Sequence, residues 1–372
     1  MKTGILGGGQ LGRMLLQAAA NYTVETYVLE DDEHCPAAHL CHHFIKGDIK
    51  NFDAVYNFGK NLDALTIEIE NVNVDALKKL QNEGVKIYPS PSALEIIKNK
   101  VLQKKFYRQH QIPTSTFFIT ENKQQLLQHK LFLPAVHKLG EGGYDGRGVQ
   151  IISSETEMQK GFNAPSVLEK LVNIKKEIAV IVAMNNKNEI TTFPPAEMVF
   201  NVGLNLLDYQ LSPALISNEL KIKCENIAKQ VVLHLQSAGI FAVELFIDDN
   251  NNVLVNETAP RVHNSGHHTI EANYSSQYDM LWRIILQYPL GNANAIMPAA
   301  IVNLIGAENY NGKAVYKGLN NVLQMQNTFV HLYGKEITKP GRKMGHVTIM
   351  SNDYNELEQK ANTIKQLVKV QA

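Results

Sequence analysis

Residues 240–258 read Ile240-Phe241-Ala242-Val243-Glu244-Leu245-Phe246-Ile247-Asp248-Asp249-Asn250-Asn251-Asn252-Val253-Leu254-Val255-Asn256-Glu257-Thr258. Two apolar, β-branched runs flank a polar turn, the pattern of an antiparallel hairpin. If the hairpin is centred between Asn250 and Asn251, Glu244 and Glu257 stand directly opposite each other, with Cβ atoms about 5 Å apart. They would share a face with Ala242, Phe246 and Val255. Like charges opposed in a sheet destabilise it unless something neutralises them. Magnesium suits such a pair, because it takes hard oxygen ligands, usually one or two carboxylates plus substrate phosphates. The competing readings are two solvated edge carboxylates, or a register slip that sends them to opposite faces.

The chain continues from the hairpin into Asn256-Glu257-Thr258-Ala259-Pro260-Arg261-Val262-His263-Asn264-Ser265-Gly266-His267-His268-Thr269. Arg261 offers a planar fork suited to a carboxylate-like or phosphate-like anion. His263 and Asn264 add hydrogen-bonding groups within three residues of it. A well-capped loop is the plain alternative, but so many polar groups beside a metal pair favour a reaction centre.

Working backward, a helix over Ser217–Ala238 precedes the hairpin. Before it come strand candidates at Thr114–Ile119, Pro134–Leu139, Val149–Ile152, Ser166–Glu169, Glu177–Met184 and Glu189–Phe193. Strands following one another without helices indicate antiparallel sheet. Lys138 sits late in one of them, directly before Gly140-Glu141-Gly142-Gly143-Tyr144-Asp145-Gly146-Arg147-Gly148, where five glycines in nine residues let backbone approach phosphates closely. Lys100 lies in a helical run from Ala93 to His110. Either lysine taken alone is more often a solvated charge than a ligand. A strand end such as Glu169-Lys170-Leu171-Val172 can read an adenine edge, and a nearby carboxylate such as Glu177 can hold ribose hydroxyls.

The first ninety residues alternate β-rich runs with helical patterns: strands at Lys2–Leu6, Thr23–Glu30, Ala64–Glu68 and Val85–Tyr88, helices at Leu11–Ala20 and Val74–Asn82. This is the pattern of a parallel sheet covered on both faces. Gly7-Gly8-Gly9-Gln10-Leu11-Gly12 satisfies G-x-G-x-x-G between strand and helix, and Glu30 ends the next strand, where a dinucleotide fold keeps its ribose-binding acid. The physics under the motif is less particular: a glycine turn at a helix N-terminus exposes amides to any phosphate. Beyond about residue 291, strands at Ala299–Leu304, Phe329–Tyr333 and Gly345–Met350 and a helix over Asn355–Val370 close the chain.

Length and composition set bounds. A chain of 372 residues with 44% hydrophobic residues fills two or three cores. Its 36 basic and 36 acidic residues cancel, which speaks against a general attraction to nucleic acid or an anionic membrane. No apolar run reaches transmembrane length, the opening Met1-Lys2-Thr3 leads into no apolar leader segment, and three cysteines suit a reducing compartment. The expectation is a soluble cytoplasmic protein. His34, Cys35, His39, Cys41, His42 and His43 crowd one loop, but their spacing fits no common zinc pattern.

With these residues assembled, the chain resembles the ATP-grasp enzymes, and within them the 5-(carboxyamino)imidazole ribonucleotide synthase branch of purine biosynthesis. The likeness runs nearly end to end. It covers residues 7–14, Thr66-Ile67-Glu68-Ile69-Glu70-Asn71-Val72, residues 142–148 and 256–267, Tyr333-Gly334-Lys335, and Arg342-Lys343-Met344-Gly345-His346. It implies an α/β and α+β architecture: a Rossmann-like domain over 1–98, an ATP-grasp domain over 99–290 and a small C-terminal domain over 291–372. The implied reaction converts ATP, bicarbonate and aminoimidazole ribonucleotide into the N-carboxylated ribonucleotide, ADP and phosphate.

By that similarity, Lys100, Lys138 and Asn256 face ATP phosphates, and the loop through Gly143, Tyr144, Asp145, Gly146, Arg147 and Gly148 closes over them. Glu169, Lys170, Leu171 and Val172 read adenine, Glu177 binds ribose, and Glu244 with Glu257 carry magnesium. Arg261, His263 and Asn264, with Asp145, form the catalytic set. Gly9, Gln10, Leu11, Glu70, Tyr144, Lys335 and Arg342 surround the imidazole ribonucleotide, its phosphate meeting the glycine turn. The likeness further implies a homodimer. Phe200 stands where many relatives place a histidine near ATP, and Val262 replaces a common proline. Thr258-Ala259 after Glu257 departs from the Glu-x-Asn of biotin-carboxylase-like relatives, and His137 reads as a sheet residue. A formate-using ribonucleotide transformylase, an NAD-dependent oxidoreductase and a non-catalytic nucleotide-binding module are the alternatives.

Overall fold

The computed structural model describes residues 1–143, 148–201 and 206–372, with backbone alone for 200–201 and 206–208. The chain opens as expected, with strands and helices in alternation. β1 (Lys2–Leu6), β2 (Glu25–Glu30), β3 (His43–Lys46), β4 (Ala64–Ile67) and β5 (Lys86–Tyr88) form one sheet in the order β3-β2-β1-β4-β5. Every pair in it is parallel. Helices α1 (Gln10–Ala19), α2 (Phe52–Gly59) and α3 (Val74–Asn82) cover it, and β4 is buried along its whole length, as a strand covered on both sides must be. The edge strand β3 and helix α2 are additions to the sequence reading; β3 carries only two apolar residues, so alternation could not mark it.

The helical run expected over Ala93–His110 is two helices, α4 (Pro91–Lys98) and α5 (Lys100–Gln109). Asn99 breaks it. Its backbone is extended, and its Oδ1 accepts from the amides of Val101 at 2.9 Å and Leu102 at 3.1 Å. A short polar side chain that satisfies orphan amides favours a cap over a helix interior. The break makes Lys100 the first residue of α5.

Two antiparallel sheets follow. β6 (Phe117–Thr120), α6 (Lys123–Leu127), β7 (Ala135–Leu139), β8 (Val149–Ile152) and β9 (Ser166–Lys170) give a four-stranded sheet in the order β6-β9-β7-β8. The larger one holds β10 (Ile174–Met184), β11 (Ile190–Thr192), β12 (Ala196–Asn201), β13 (Leu206–Ser212), β14 (Gly239–Asp248), β15 (Val253–Ala259) and β16 (Ala299–Ile305). Its path runs β15-β14-β10-β12-β13-β16 and on into strands Lys343–Met350 and Thr328–Leu332, with β11 paired to β10. The sequence reading lacked β12 and β13. The last helix, Tyr354–Leu367, stops three residues short of the expected Val370, and Lys369–Gln371 pairs instead with Val315–Lys317.

Alternation along β10 and β14 separates two cores. Ile178, Val180, Val182, Val243 and Leu245 pack under helix α7 (Asn218–Leu235). On the opposite face Ile181, Ala183, Ile240 and Ala242 meet α1 and helix α9 (Gln277–Ile285), which follows the short α8 (Thr269–Ala272). Trp282 is fully buried there and donates from Nε1 to the Leu15 carbonyl at 2.7 Å. That contact ties the first sheet's helix to the large sheet, and so brings the chain leaving β4 toward the chain leaving β15.

Asn99→Ala removes both side-chain cap hydrogen bonds of α5. The expected cost is about 1 kcal/mol, read from the chemical unfolding midpoint, with Asn99→Asp keeping most of it.

Candidate active site

Glu244 and Glu257 are direct cross-strand partners. The route to that pairing differs from the one expected. Near the turn, Ile247 opposes Val253, Phe246 opposes Leu254 and Leu245 opposes Val255, so the hairpin is centred on Asn250. Asn251 takes a left-handed φ of 60° and Asp248 accepts from the Asn250 and Asn252 amides at 2.9 and 2.8 Å, which fixes this turn. One extra residue, Asn256, then enters the ladder as a bulge and restores the opposition of the glutamates. The bulge corrects one expectation. Val255 does not share the glutamates' face; it lies in the core beneath α7 with Val243 and Leu245. Bulges gather beside active sites because they re-aim a side chain. Here Asn256 is turned so that its Oδ1 accepts from Lys138 Nζ at 2.8 Å.

Positive charge surrounds the pair from two elements. Lys100, at the tip of α5, forms an ion pair with Glu257. Burial works against the Lys100 ammonium, but the Glu257 carboxylate outweighs it and holds the group above its ordinary value. Burial likewise disfavours the Glu257 charge, and Lys100 and Lys138 together reverse this and hold it low. Glu244 has no such cation. Burial first, and the facing Glu257 second, push its carboxyl up to about 8. Glu177 pairs across from Phe246 on β10, on the same face, and burial pushes it up to about 7. The ligand-free site therefore accommodates crowded carboxylates by keeping protons on some of them.

α5 is fixed to β15 by a second set of contacts. Gln103 Oε1 accepts from the Thr258 amide at 2.9 Å, and Tyr107 donates to the same oxygen at 2.6 Å. One turn along from Lys100, Lys104 is 3% exposed and pairs with Glu169, 5% exposed, at 2.9 Å. The other Glu169 oxygen lies 3.1 Å from Lys138 Nζ. Burial disfavours the Glu169 charge, but Lys138 and Lys104 outweigh it and hold the carboxyl at about 2. The sequence reading missed Lys104. Its four-residue offset from Lys100 on one helix was the available signal.

The strand end proposed for adenine is only partly open. The Glu169 carboxylate is turned inward, and Lys170 donates away from the site to the Phe132 and Leu133 carbonyls at 2.9 and 3.1 Å. The amides of Lys170 and Leu171 bond to Thr116 and Pro134. Among the described residues, the Val172 amide has no acceptor in the protein. Any edge reading at these four positions thus falls to backbone.

Across the cleft, Arg261 Nε lies 2.8 Å from Glu70 Oε1. One residue leaves β15 and the other follows β4, so this ion pair joins the two halves of the site. His263 donates its amide to Gln277 Oε1 at 2.8 Å while Gln277 returns a bond to the His263 carbonyl at 2.7 Å, which fixes the loop. His263 Nδ1 meets Ser265 Oγ at 2.9 Å, and Nε2 lies 3.8 Å from Glu244. Burial, then Arg261 and Lys343, push its imidazole down to about 3, so it is neutral. Asn264 follows it, half-buried, at the start of a short 3₁₀ turn.

The glycine turn lies beneath this pair. Glu68, another residue missed by sequence reading, accepts the Gly12 amide at 2.9 Å and sits so close to Gly9 that a Cβ there would collide with its Oε1. Glu30 accepts the Gly8 amide at 2.9 Å. This corrects the dinucleotide reading, because the would-be ribose acid is bonded to the turn itself. Among the described residues the amides of Gln10 and Leu11, first in α1, are the ones left without a protein acceptor. Lys335 donates to the Lys343 carbonyl at 2.8 Å and Arg342 to the Ile337 carbonyl at 2.7 Å. Burial raises the Glu68 carboxyl, and the Gly12 amide, Arg261 and Lys335 act against that rise.

Gly143 and Gly148 are described, with Gly148 at φ +79°, whereas Tyr144, Asp145, Gly146 and Arg147 lie outside the described residues, as does the Phe200 side chain. His137 is a buried sheet residue bonded to Thr120 Oγ1 at 3.0 Å. His42 bonds Thr26 and His43 bonds Glu25, so these two histidines serve separate partners.

Comparison with known proteins matches three family models in register with this geometry. They are a ribonucleotide synthetase preATP-grasp domain over residues 1–98, an ATP-grasp domain over 105–278 and a phosphoribosylaminoimidazole carboxylase C-terminal domain over 299–360. The N5-carboxyaminoimidazole ribonucleotide synthase of Staphylococcus aureus (strain COL) is 34% identical over 96% of this chain and 94% of its own. The chain belongs to the N5-carboxyaminoimidazole ribonucleotide synthase family. Among solved structures, the synthetase of that name from Thermotoga maritima superposes with a TM-score of 0.92 at 37% identity, covering 100% of this chain and 99% of that one. The Aspergillus clavatus N5-carboxyaminoimidazole synthase, in complex with ADP and 5-aminoimidazole ribonucleotide, gives 0.89 at 30% identity over 98% of both chains. The chain spans 65% of the length of the phosphoribosylaminoimidazole carboxylase of Vigna aconitifolia, at 34% identity. As a member of the N5-carboxyaminoimidazole ribonucleotide synthase family, the chain is an ATP-dependent carboxylating ligase of ATP-grasp fold, with ATP as co-substrate.

The raised Glu244 carboxyl has a measurable consequence. The ligand-free fold keeps a proton that the unfolded chain releases near 4.5, so this stabilisation falls as pH rises from about 4.5 and is lost above about 8. Glu244→Gln removes the titration. In the absence of metal and nucleotide, its melting temperature is expected to exceed that of the wild type above about pH 8 by about 2–4 °C, with the difference shrinking toward pH 5, in a melting-temperature series across pH.

Proposed function

We propose that this chain carboxylates 5-aminoimidazole ribonucleotide with bicarbonate, through carboxyphosphate, yielding N5-carboxyaminoimidazole ribonucleotide, ADP and phosphate in de novo purine synthesis. The observation that carries this reading is the Arg261–Glu70 ion pair. It places the anion-binding fork that follows the glutamate hairpin against the acid that follows β4, so a phosphate-activated anion and a ribonucleotide on the glycine turn would meet there.

Lys100 and Lys138 hold the ATP phosphates from two sides, Val172 backbone reads the adenine edge and Glu177 takes the ribose. Glu244 and Glu257 fit magnesium. They are two opposed oxygen donors, and the ion pair with Lys100 engages Glu257 alone. Held by these two carboxylates, such an ion would supply charge neutralisation for the phosphates.

Arg261 and Asn264 hold bicarbonate in line with the γ-phosphorus, and catalysis is chiefly positioning and charge stabilisation. His263, kept neutral, orients the anion by a hydrogen bond and takes no proton. The exocyclic amine of the ribonucleotide, oriented by Glu70, Tyr144, Lys335 and Arg342, attacks the carboxyphosphate carbonyl carbon. The C–O bond to phosphate breaks, and the amine proton leaves with the phosphate as hydrogen phosphate. Carboxyphosphate hydrolyses readily, so the 140–148 segment must exclude water before it forms. The same reading divides the chain into units at 1–98, 99–290 and 291–372 and makes the protein a cytoplasmic homodimer. Among the described residues no helix is long and apolar enough to cross a membrane.

The test is phosphate release from ATP with bicarbonate, with and without 5-aminoimidazole ribonucleotide, and with formate in place of bicarbonate. Release that depends on bicarbonate and is stimulated by the ribonucleotide is expected; a formate requirement would point to a transformylase. Glu257→Gln should lower turnover at least about a hundredfold, since it removes a metal-holding charge and leaves Lys100 unpaired, while circular dichroism stays unchanged. Near-normal turnover would defeat the metal assignment.

A further inference from the structure

Glu169 stands at the end of β9 with its carboxylate in the interior, and three groups converge on it. Ser115 Oγ donates to Oε2 at 2.6 Å, Lys104 Nζ lies 2.9 Å from the same oxygen, and Lys138 Nζ lies 3.1 Å from Oε1. Lys104 is itself saturated. Beyond Glu169 its ammonium donates to Thr114 Oγ1 at 2.6 Å and Ser115 Oγ at 3.3 Å, matching its three protons with three acceptors. Thr114 passes the chain on to the Val255 carbonyl at 2.7 Å, one residue before the Asn256 bulge. The cluster is closed to water, with Lys104 and Glu169 each about one-twentieth exposed or less and Lys138 at 13%.

Two cations on one buried anion is an unusual choice, because each buried charge carries a large desolvation cost. The arrangement makes sense through Lys138. Lys138 is the one member whose ammonium also reaches the cleft, at Asn256 beside Glu257. If Glu169 had Lys138 as its sole counter-ion, the pair would be neutral and Lys138 would be held inward. With Lys104 balancing Glu169 from behind, Lys138 keeps an uncompensated charge for an incoming phosphate.

We infer that Lys104 is a positioning residue for nucleotide binding: it neutralises Glu169 so that the Lys138 ammonium remains available to the phosphates of ATP. This deepens the reading above, which uses Lys138 but gives Lys104 no part. Lys104 touches no substrate and acts through Glu169 alone. Burial pulls its own ammonium down to about 8, in keeping with a charge retained by its partners.

The test is a double-mutant cycle read by calorimetric titration with ADP, in the full chain with magnesium present. Lys104→Met should weaken ADP binding by about tenfold or more, because Glu169 then captures Lys138. Glu169→Gln added to Lys104→Met removes the captor, and ADP affinity should return to within about threefold of wild type. A purely architectural Lys104 would give no such rescue. In a Lys138→Gln background, Lys104→Met should have no further effect on ADP affinity. Should Lys104→Met fail to fold, Ser115→Ala weakens the same hold on Glu169 and should shift ADP affinity in the same direction by a smaller factor. Unchanged ADP affinity in Lys104→Met, or a double variant no better than the single, overturns the inference. Failure of the wild type to bind ADP would defeat the functional reading itself, and the inference with it.

Discussion

Two carboxylates facing each other across a β-ladder organise this protein. The hairpin that carries them cannot relax by rotating one away, because residues on a strand alternate faces and the other face is the packed core under α7. What the fold can do is adjust charge. It places Lys100 on Glu257 and leaves Glu244 without a cation, so that in the absence of ligand a proton does there what a metal would otherwise do. That crowding of oxygen donors is what the magnesium proposal rests on.

The surrounding elements make sense as supports for that hairpin. Asn99 starts α5 at Lys100, and Gln103 and Tyr107 bolt the helix to Thr258, one residue past Glu257. The 261–267 loop leaves the same strand and is fixed by Gln277 at the head of α9, whose Trp282 anchors α1 and the glycine turn. One continuous run of contacts therefore connects the phosphate end to the turn where Glu68 and Glu30 occupy two amides and leave those of Gln10 and Leu11 open.

Much of this was legible in the residues, and the exceptions share a cause. Strand–helix alternation gave the parallel sheet, and the spacing of Glu244 and Glu257 gave their opposition. The bulge at Asn256 was hidden because two errors compensate: a turn centred half a residue early and one extra residue restore the same pair. Val255, between the two, shows the difference by facing the other core. Strands β12 and β13 have no counterpart in the sequence reading, where Pro194-Pro195 precedes them and Gly203 stands between them. Glu68 and Lys104 escaped because burial of a charge depends on partners distant in sequence: Lys104 meets Glu169 sixty-five positions away, and Glu68 meets Gly12 fifty-six positions away. Local pattern records which face a charge occupies and is silent on what closes over it.

The central claim is that Glu244 and Glu257 act together as the seat of a divalent ion. Manganese, which accepts the same oxygen donors, makes that ion visible by electron paramagnetic resonance. The account predicts that wild-type protein with ADP depletes the free-manganese signal, and that Glu244→Gln and Glu257→Gln each weaken this binding by about tenfold or more while both variants remain folded. Undiminished manganese binding in both variants would contradict it.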